Sequence, residues 1–458
     1  MINTTEKQDE KKPLKRSMTG LETELHVIDI EGNLSYAGFD LITTIKKKYP
    51  GLNVVKECGL NMIETGCYPH MNAYNPAIEM MGTIEKIIEV AKENKLLIYP
   101  FGTYPGKTES RFTSDPNGTY KIQEKIFGAE KFSLATKAVG FHHHYALPKG
   151  VFDYEKKNLR LLIDSKLKRS LLNCYNFEIA IDPILTLLTQ SSPFFEGKLL
   201  AKDSRMLIYR GGKKLAYPGL YSNFQQVGAL PPYKQTETDL MRSIKRRKYR
   251  WSKAVKKIDK NVNINQMYAS ELDISWNPVK INKHGTLEQR GMDMNYISIV
   301  LGVSVLLKSC LKKIQRDFVE VIPSDIGIKD SFKLQNGIMY IPPHIFVREQ
   351  LQKKSAYRGF DDDILYDYTK RFYRFAKSLT PDIYKPLLKN IENMIRERKS
   401  VSDNIVAFAR REEMINDKGE ISQKDAQVIA LHFSKKFECD LKETKKIVEK
   451  IKIKHAGL

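Results

Sequence analysis

Thr19-Gly-Leu-Glu22-Thr-Glu24-Leu-His26-Val-Ile28 decides the fold. Its alternation predicts a strand over Thr19–Ile30, in which side chains i and i+2 point the same way, about 6.6 Å apart. Glu22 and Glu24 then share one face, and Leu21, Leu25 and Val27 take the other and pack on a core. Two adjacent carboxylates repel unless a cation lies between them. A polar outer face reads the same way from this segment alone.

Three further segments place carboxylates and imidazoles on strands. In Val54-Val-Lys-Glu57-Cys-Gly59-Leu-Asn61-Met-Ile-Glu64-Thr-Gly66, one straight strand would put the glutamates on opposite faces. The turn chemistry of Gly59 and Asn61 allows a hairpin over Val54–Thr65 that brings both to one side, although a surface hairpin has the same pattern. Gly140-Phe-His142-His143-His144-Tyr-Ala-Leu holds three of the nine histidines. His142 and His144 share a face, as a pair that can bind a divalent metal or a phosphate, and His143 faces the other way. In Thr286-Leu-Glu288-Gln-Arg290-Gly-Met-Asp293 a carboxylate and a guanidinium share a face, either as a plain ion pair or as a metal ligand beside a phosphate clamp.

Around these segments the 458-residue chain carries 76 Lys+Arg against 54 Asp+Glu, a net charge of +22. Its length predicts more than one packed unit, and 41% hydrophobic residues suffice for a core. Five scattered cysteines without a CxxC pair give neither a disulfide framework nor a thiolate zinc site, and suit a reducing cytoplasm. The polar start predicts no secretory signal, and the apolar run near Ile297–Leu307 is too short for a membrane span and predicts a buried helix. Helices are predicted near Phe39–Lys48, over Ile78–Asn94 and over residues 165–190, with strands over Lys95–Phe101 and Thr286–Gln289. Residues 205–235, rich in Gly, Pro and Tyr, predict loops near a site. The expected organisation is a disordered basic tail (1–16), a mixed α+β catalytic body (17–330) and a helical C-terminal region (331–458). The densest basic block, Arg242–Lys260, interleaves Tyr249 and Trp251 with its bases. It reads as a solvated helical face in preference to an RNA contact, because no RNA-binding motif accompanies it.

Together the four segments supply several glutamates, one or two histidines and an arginine. Hard oxygen donors with an imidazole suit Mg²⁺ or Mn²⁺. Metal and Arg beside a nucleotide are what phosphoryl transfer needs. No GxxxxGK[ST] loop and no GxGxxG at a strand–helix junction is present, which disfavours a P-loop or a Rossmann site.

The motifs TGLETEL, ECGLNMIET, GFHHHYAL, the turn Ser191-Ser-Pro-Phe-Phe-Glu-Gly197 followed by Ser204-Arg205, and TLEQRGMD occur in an order that resembles glutamate–cysteine ligase family 2 over roughly residues 18–310. The resemblance implies an antiparallel sheet curved into a funnel, with helices outside and Mg²⁺–ATP inside. It implies that Glu24, Glu57 and Glu64 hold one metal and that Glu22, His142 and Glu288 hold another bridging the ATP phosphates. By the same resemblance Arg290 clamps phosphate, His144 touches phosphate or the phosphorylated intermediate, and Arg205 and Arg210 hold the substrate carboxylate. The implied activity is ligation of the glutamate γ-carboxylate to an amine, cysteine first among the candidates, with small molecules as partners and neither membrane nor nucleic acid expected. A carboxylate–amine ligase with another acceptor is the nearest alternative. A non-catalytic RNA-binding protein using residues 242–260 is the rival from a different class. One departure is Tyr104, where some family members carry His.

Overall fold

The computed structural model describes residues 17–160 and 165–456. The expected basic tail, residues 1–16, lies outside the described residues. The centre is a seven-stranded antiparallel sheet built from β1 (Thr19–Asp29), β2 (Val54–Lys56), β3 (Met62–Gly66), β4 (Leu96–Tyr99), β5 (Gly140–Ala146), β6 (Val279–Asn282) and β7 (Thr286–Asp293). Its order is β6-β7-β5-β1-β3-β2, and β4 also pairs with β1. β2 and β3 form the expected hairpin, antiparallel with Val55 opposite Glu64.

The long first strand organises the sheet. β1 pairs with β5 over Thr19–Thr23, with β3 over Glu22–His26 and with β4 over His26–Asp29. Leu21, Leu25 and Val27 are buried in the main apolar core, as their alternation requires. The functional side of the strand is no outer face, since Glu24 is only 5% exposed and His26 fully buried.

Helices cover the sheet. The apolar run predicted as a buried helix forms Ile297–Asp317, whose residues from Ile297 to Lys308 are all buried. It packs against the helices Lys166–Thr189, Asp363–Leu379 and Gln423–Ala456. Among the described residues only Lys166–Thr189 is long and apolar enough to cross a membrane, and it lies buried in this packing. The part beyond residue 330 is helical apart from a small three-stranded sheet that includes Ile338–Ile341. Its last helix returns to the helix Tyr74–Glu93 and to β4, placing Phe437, Leu441, Val448 and Ile451 in the same apolar core as β1.

Candidate active site

Register assembles the site. Glu22 stands opposite His142, and Glu24 opposite Glu64. One row further along, Lys280, Glu288 and His144 lie side by side across β6, β7 and β5. All belong to one face of the sheet because they sit at i, i+2 positions of neighbouring strands.

Two compact groups result. Atoms of Glu24, Glu57 and Glu64 all lie within 4.8 Å of one another, as do atoms of Glu22, His144 and Glu288. The first group is the expected trio. Glu57 joins it because β2 ends at Lys56 and the chain turns through Gly59 toward β3. The second group brings His144 to Glu22 and Glu288, and the expected His142 is also beside both, its Nδ1 3.2 Å from Glu22 Oε2 and 3.9 Å from Glu288 Oε1. His142 reaches the first group as well, with Nε2 3.3 Å from Glu24 Oε1. His143, on the opposite face, is fully buried, and burial pushes its pKa well down.

Burial and neighbouring charges shift the carboxylates of the two groups in opposite directions. Burial and then the charge of Glu57 push the Glu64 carboxyl well above its ordinary range. Burial also raises Glu24 and Glu57 adds to it, although His142 opposes the shift. In the second group burial would raise Glu22, but the imidazoles of His144 and His142 hold it well below the usual range. Burial acts likewise on Glu288, where Lys280 and Arg290 prevail and bring its pKa down to about 2. Burial lowers Lys280 to about 8 even though Glu288 pulls it up. For His144 burial disfavours the charged form, but Glu22 outweighs it and the pKa rises.

These donors fit a hard divalent cation. Three oxygens in one group, and two oxygens with an imidazole in the other, suit Mg²⁺ or Mn²⁺. His144 Nε2 points at the carboxylates, 3.2 Å from Glu22 Oε2, without the geometry of a hydrogen bond, while its Nδ1 is fixed 2.9 Å from Thr286 Oγ1. A hydrogen-bonded second ring nitrogen is how a metal-binding imidazole is oriented.

The cationic side is set by a bulge. β7 slips register between Gln289 and Met292, and Arg290 at the slip keeps Nη1 3.5 Å from Glu288 Oε1. Arg205 and Arg290 line one cavity with Glu24 and the rings of Tyr209, Tyr221 and Trp276. Arg205 lies on a short helix, Ser204–Arg210, where loops were expected; the missed signal is Asp203, whose side chain caps it by accepting from the Met206 N–H. Asp293 anchors this helix through the serine turn. It accepts from the Ser191 N–H at 2.9 Å and the Ser192 hydroxyl at 2.7 Å, and Ser192 Oγ accepts the Arg205 N–H.

Arg210 lines the same cavity as Arg205 and Arg290, with its fork engaged inside the protein. Its guanidinium is already held by Asp182, through contacts of 2.5 and 2.9 Å, and by Gln352 at 2.7 Å. A fork so satisfied is less available to a ligand than that of Arg205, whose buried Nε has no hydrogen-bond partner. Gly291 makes room for the pair, since a Cβ there would lie 2.3 Å from Arg210 Nη2. Tyr104 is likewise occupied: it is buried in an apolar cluster, and its hydroxyl donates to the Gly32 carbonyl at 2.8 Å. Lys280 and Asp182 were absent from the sequence reading. Neither sits in a dense motif, and only strand register and helix packing bring them to the site.

The sequence pattern that defines glutamate–cysteine ligase family 2 matches residues 18–311. No curated protein sequence matches the chain. Among solved structures, glutamate–cysteine ligase from Francisella tularensis in complex with AMP is similar at a TM-score of 0.56 and 13% identity, covering 96% of this chain and 94% of that one. A bifunctional glutathione synthetase from Pasteurella multocida is similar at a TM-score of 0.57 and 11% identity, over 92% of this chain and 52% of that one. At these identities the likeness is one of fold, an antiparallel sheet with outer helices and a helical C-terminal part. With most of the chain matched by the family pattern, including every strand of the site, the protein belongs to glutamate–cysteine ligase family 2, a family of ATP-dependent carboxylate–amine ligases.

Proposed function

We propose that the protein activates the γ-carboxylate of glutamate with ATP and joins it to the amine of cysteine. The observation that carries this reading is the convergence of two carboxylate-rich groups beside a cavity lined by Arg205 and Arg290. That charge pattern suits a triphosphate and an amino acid held together.

In this reading Glu24, Glu57 and Glu64 hold one Mg²⁺, and Glu22, His144 and Glu288 hold another. When bound, the metal neutralises the phosphates and makes the transferring phosphoryl group more electrophilic. Arg205 orients glutamate by its carboxylate. A γ-carboxylate oxygen attacks the terminal phosphorus, the bond to ADP breaks, and γ-glutamyl phosphate forms. Arg290 stabilises the charge that spreads over the phosphoryl oxygens, and its fork matches them in pairs. The amine then attacks the acyl carbon, the carbon–oxygen bond to phosphate breaks, and the nitrogen loses a proton to give the amide. The surrounding rings limit access of water to the acyl phosphate.

The test is ADP release with ATP, Mg²⁺ and glutamate, screened against a panel of amino-acid acceptors. Cysteine is expected to stimulate release most strongly, with a γ-glutamyl amide as product. Equal ADP release with and without every acceptor would contradict the proposal, and a different preferred amine would move it to another acceptor.

A further inference from the structure

The basic block Arg242–Lys260 plays no part in the reaction above, yet its helix, Glu237–Ile258, walls a second cavity. This cavity has a volume of about 210 Å³ and is lined by Lys234, Arg246, Arg247, Arg250 and Arg348, with no Asp or Glu among its lining residues. None of the five cations makes an ion pair with a carboxylate among the described residues. Lys234 donates to the Ser243 hydroxyl at 2.6 Å, Arg247 to Asn277 Oδ1 at 2.8 Å and Arg348 to Gln225 Oε1 at 3.1 Å, all neutral acceptors.

Two of these cations are not surface charges. Lys234 is 8% exposed and Arg247 is 9% exposed, and Arg247 Nε is buried with no hydrogen-bond partner. A largely buried cation without a counter-charge is costly. At the mouth, Arg246 and Arg250 stand four residues apart on one helix, where like charges repel. We propose that this cavity is an anion site that takes a small polyanion of about pyrophosphate size, gripped by Arg247 and Lys234 within and by Arg246, Arg250 and Arg348 at the rim.

The aromatic residues of the block favour a compact anion over nucleic acid. Trp251 is turned into an apolar cluster with its Nε1–H donating to the Tyr268 hydroxyl at 3.1 Å, which leaves Tyr249 as the exposed ring. A single exposed ring is no stacking platform for successive bases. The volume is also below the roughly 300 Å³ at which pockets for larger organic ligands begin. The site adjoins the active cavity, since Asn277 lies between Trp276 and Pro278, but its existence does not depend on the ligase reading.

The experiment is calorimetric titration of the full chain with pyrophosphate at low salt, with EDTA present so that the carboxylate groups repel the probe. One pyrophosphate is expected to bind per chain. R246Q/R250Q, confined to exposed helix positions, is expected to weaken binding by about tenfold or more, and R348Q, on a different element, to weaken it independently. E24Q is expected to leave it unchanged. The proposal is overturned if pyrophosphate fails to bind, if it binds only when Mg²⁺ is added, or if both rim variants bind like wild type. A single-stranded RNA that binds through Arg246 and Arg250 while pyrophosphate does not would overturn it in favour of a nucleic-acid face.

Discussion

Substituting Gly140 by Ala tests the role of Arg205 without touching its charge. A Cβ at position 140 would lie 2.2 Å from Arg205 Nη2, 2.6 Å from Cζ and 3.0 Å from the Met292 carbonyl oxygen. Ordinary contact begins near 3.4 Å, so the guanidinium nitrogen must retreat by about 1.2 Å. The far end of an arginine can make that movement, while the Met292 carbonyl need give by only a few tenths of an ångström. The Gly140 N–H, which donates to Glu24 Oε2 at 2.5 Å, therefore stays on the metal side of the site. A displacement of about 1 Å at a substrate-orienting group costs roughly a hundredfold in rate, or about 2.7 kcal/mol of transition-state stabilisation. The expected outcome for G140A is a fall of about that size in kcat/KM for glutamate, measured by ADP release. Unfolding free energy, read from the denaturant midpoint, is expected to drop only by the modest amount that overpacking brings, about 1–3 kcal/mol. A folded G140A enzyme with kcat/KM within twofold of wild type would refute the assignment of Arg205 to the substrate.

Other perturbations separate structural from catalytic groups. Asp182→Asn leaves the buried Arg210 guanidinium without its counter-charge and is expected to destabilise the fold by about 3–5 kcal/mol, read from the denaturant midpoint. Arg290→Lys keeps a charge but loses the fork, so kcat is expected to fall roughly a hundredfold while Mn²⁺ affinity holds. Glu64→Gln removes one of three mutually repelling carboxylates; thermal stability in EDTA is expected to rise and divalent-metal affinity to fall, by differential scanning fluorimetry with and without metal. Lys308 is buried and donates to the Ser17 and His70 carbonyls and to Thr19 Oγ1, and burial lowers its pKa from 10.5 to about 7. Between those values the unfolded chain binds the extra proton, so this lysine makes stability rise with pH, and Lys308→Met is expected to flatten that slope in urea titrations from pH 7 to 10.

Much of the sheet was legible because its strands carry period-two patterns and turn residues at their ends. β1, the β2–β3 hairpin and the buried helix Ile297–Asp317 occur where alternation, Gly59 with Asn61, and an uncharged apolar run predict them. The trio Glu24, Glu57 and Glu64 was expected from the family resemblance, and the hairpin is what lets Glu57 and Glu64 reach one side. Pairing register, which no single strand encodes, decided the rest. It puts His144 with Glu22 and Glu288, and it brings Lys280 opposite Glu288. Arg210 reads as a free arginine in the sequence because its partner, Asp182, lies 28 residues earlier in an apolar helix whose pattern marks only burial. The basic block reads as a solvated helical face with both rings turned inward; the helix forms and Trp251 is buried, but Tyr249 is 67% exposed, and the cavity depends on Lys234 and Arg348 arriving from other elements.

The central claim, that two carboxylate groups hold metal around a triphosphate, is tested most directly by anomalous diffraction from crystals soaked in Mn²⁺ and a non-hydrolysable ATP analogue. Two anomalous peaks are expected, one among Glu24, Glu57 and Glu64 and one among Glu22, His144 and Glu288, with the analogue's phosphates near Arg290. An ordered nucleotide bound elsewhere, with no manganese at either group, would contradict the account.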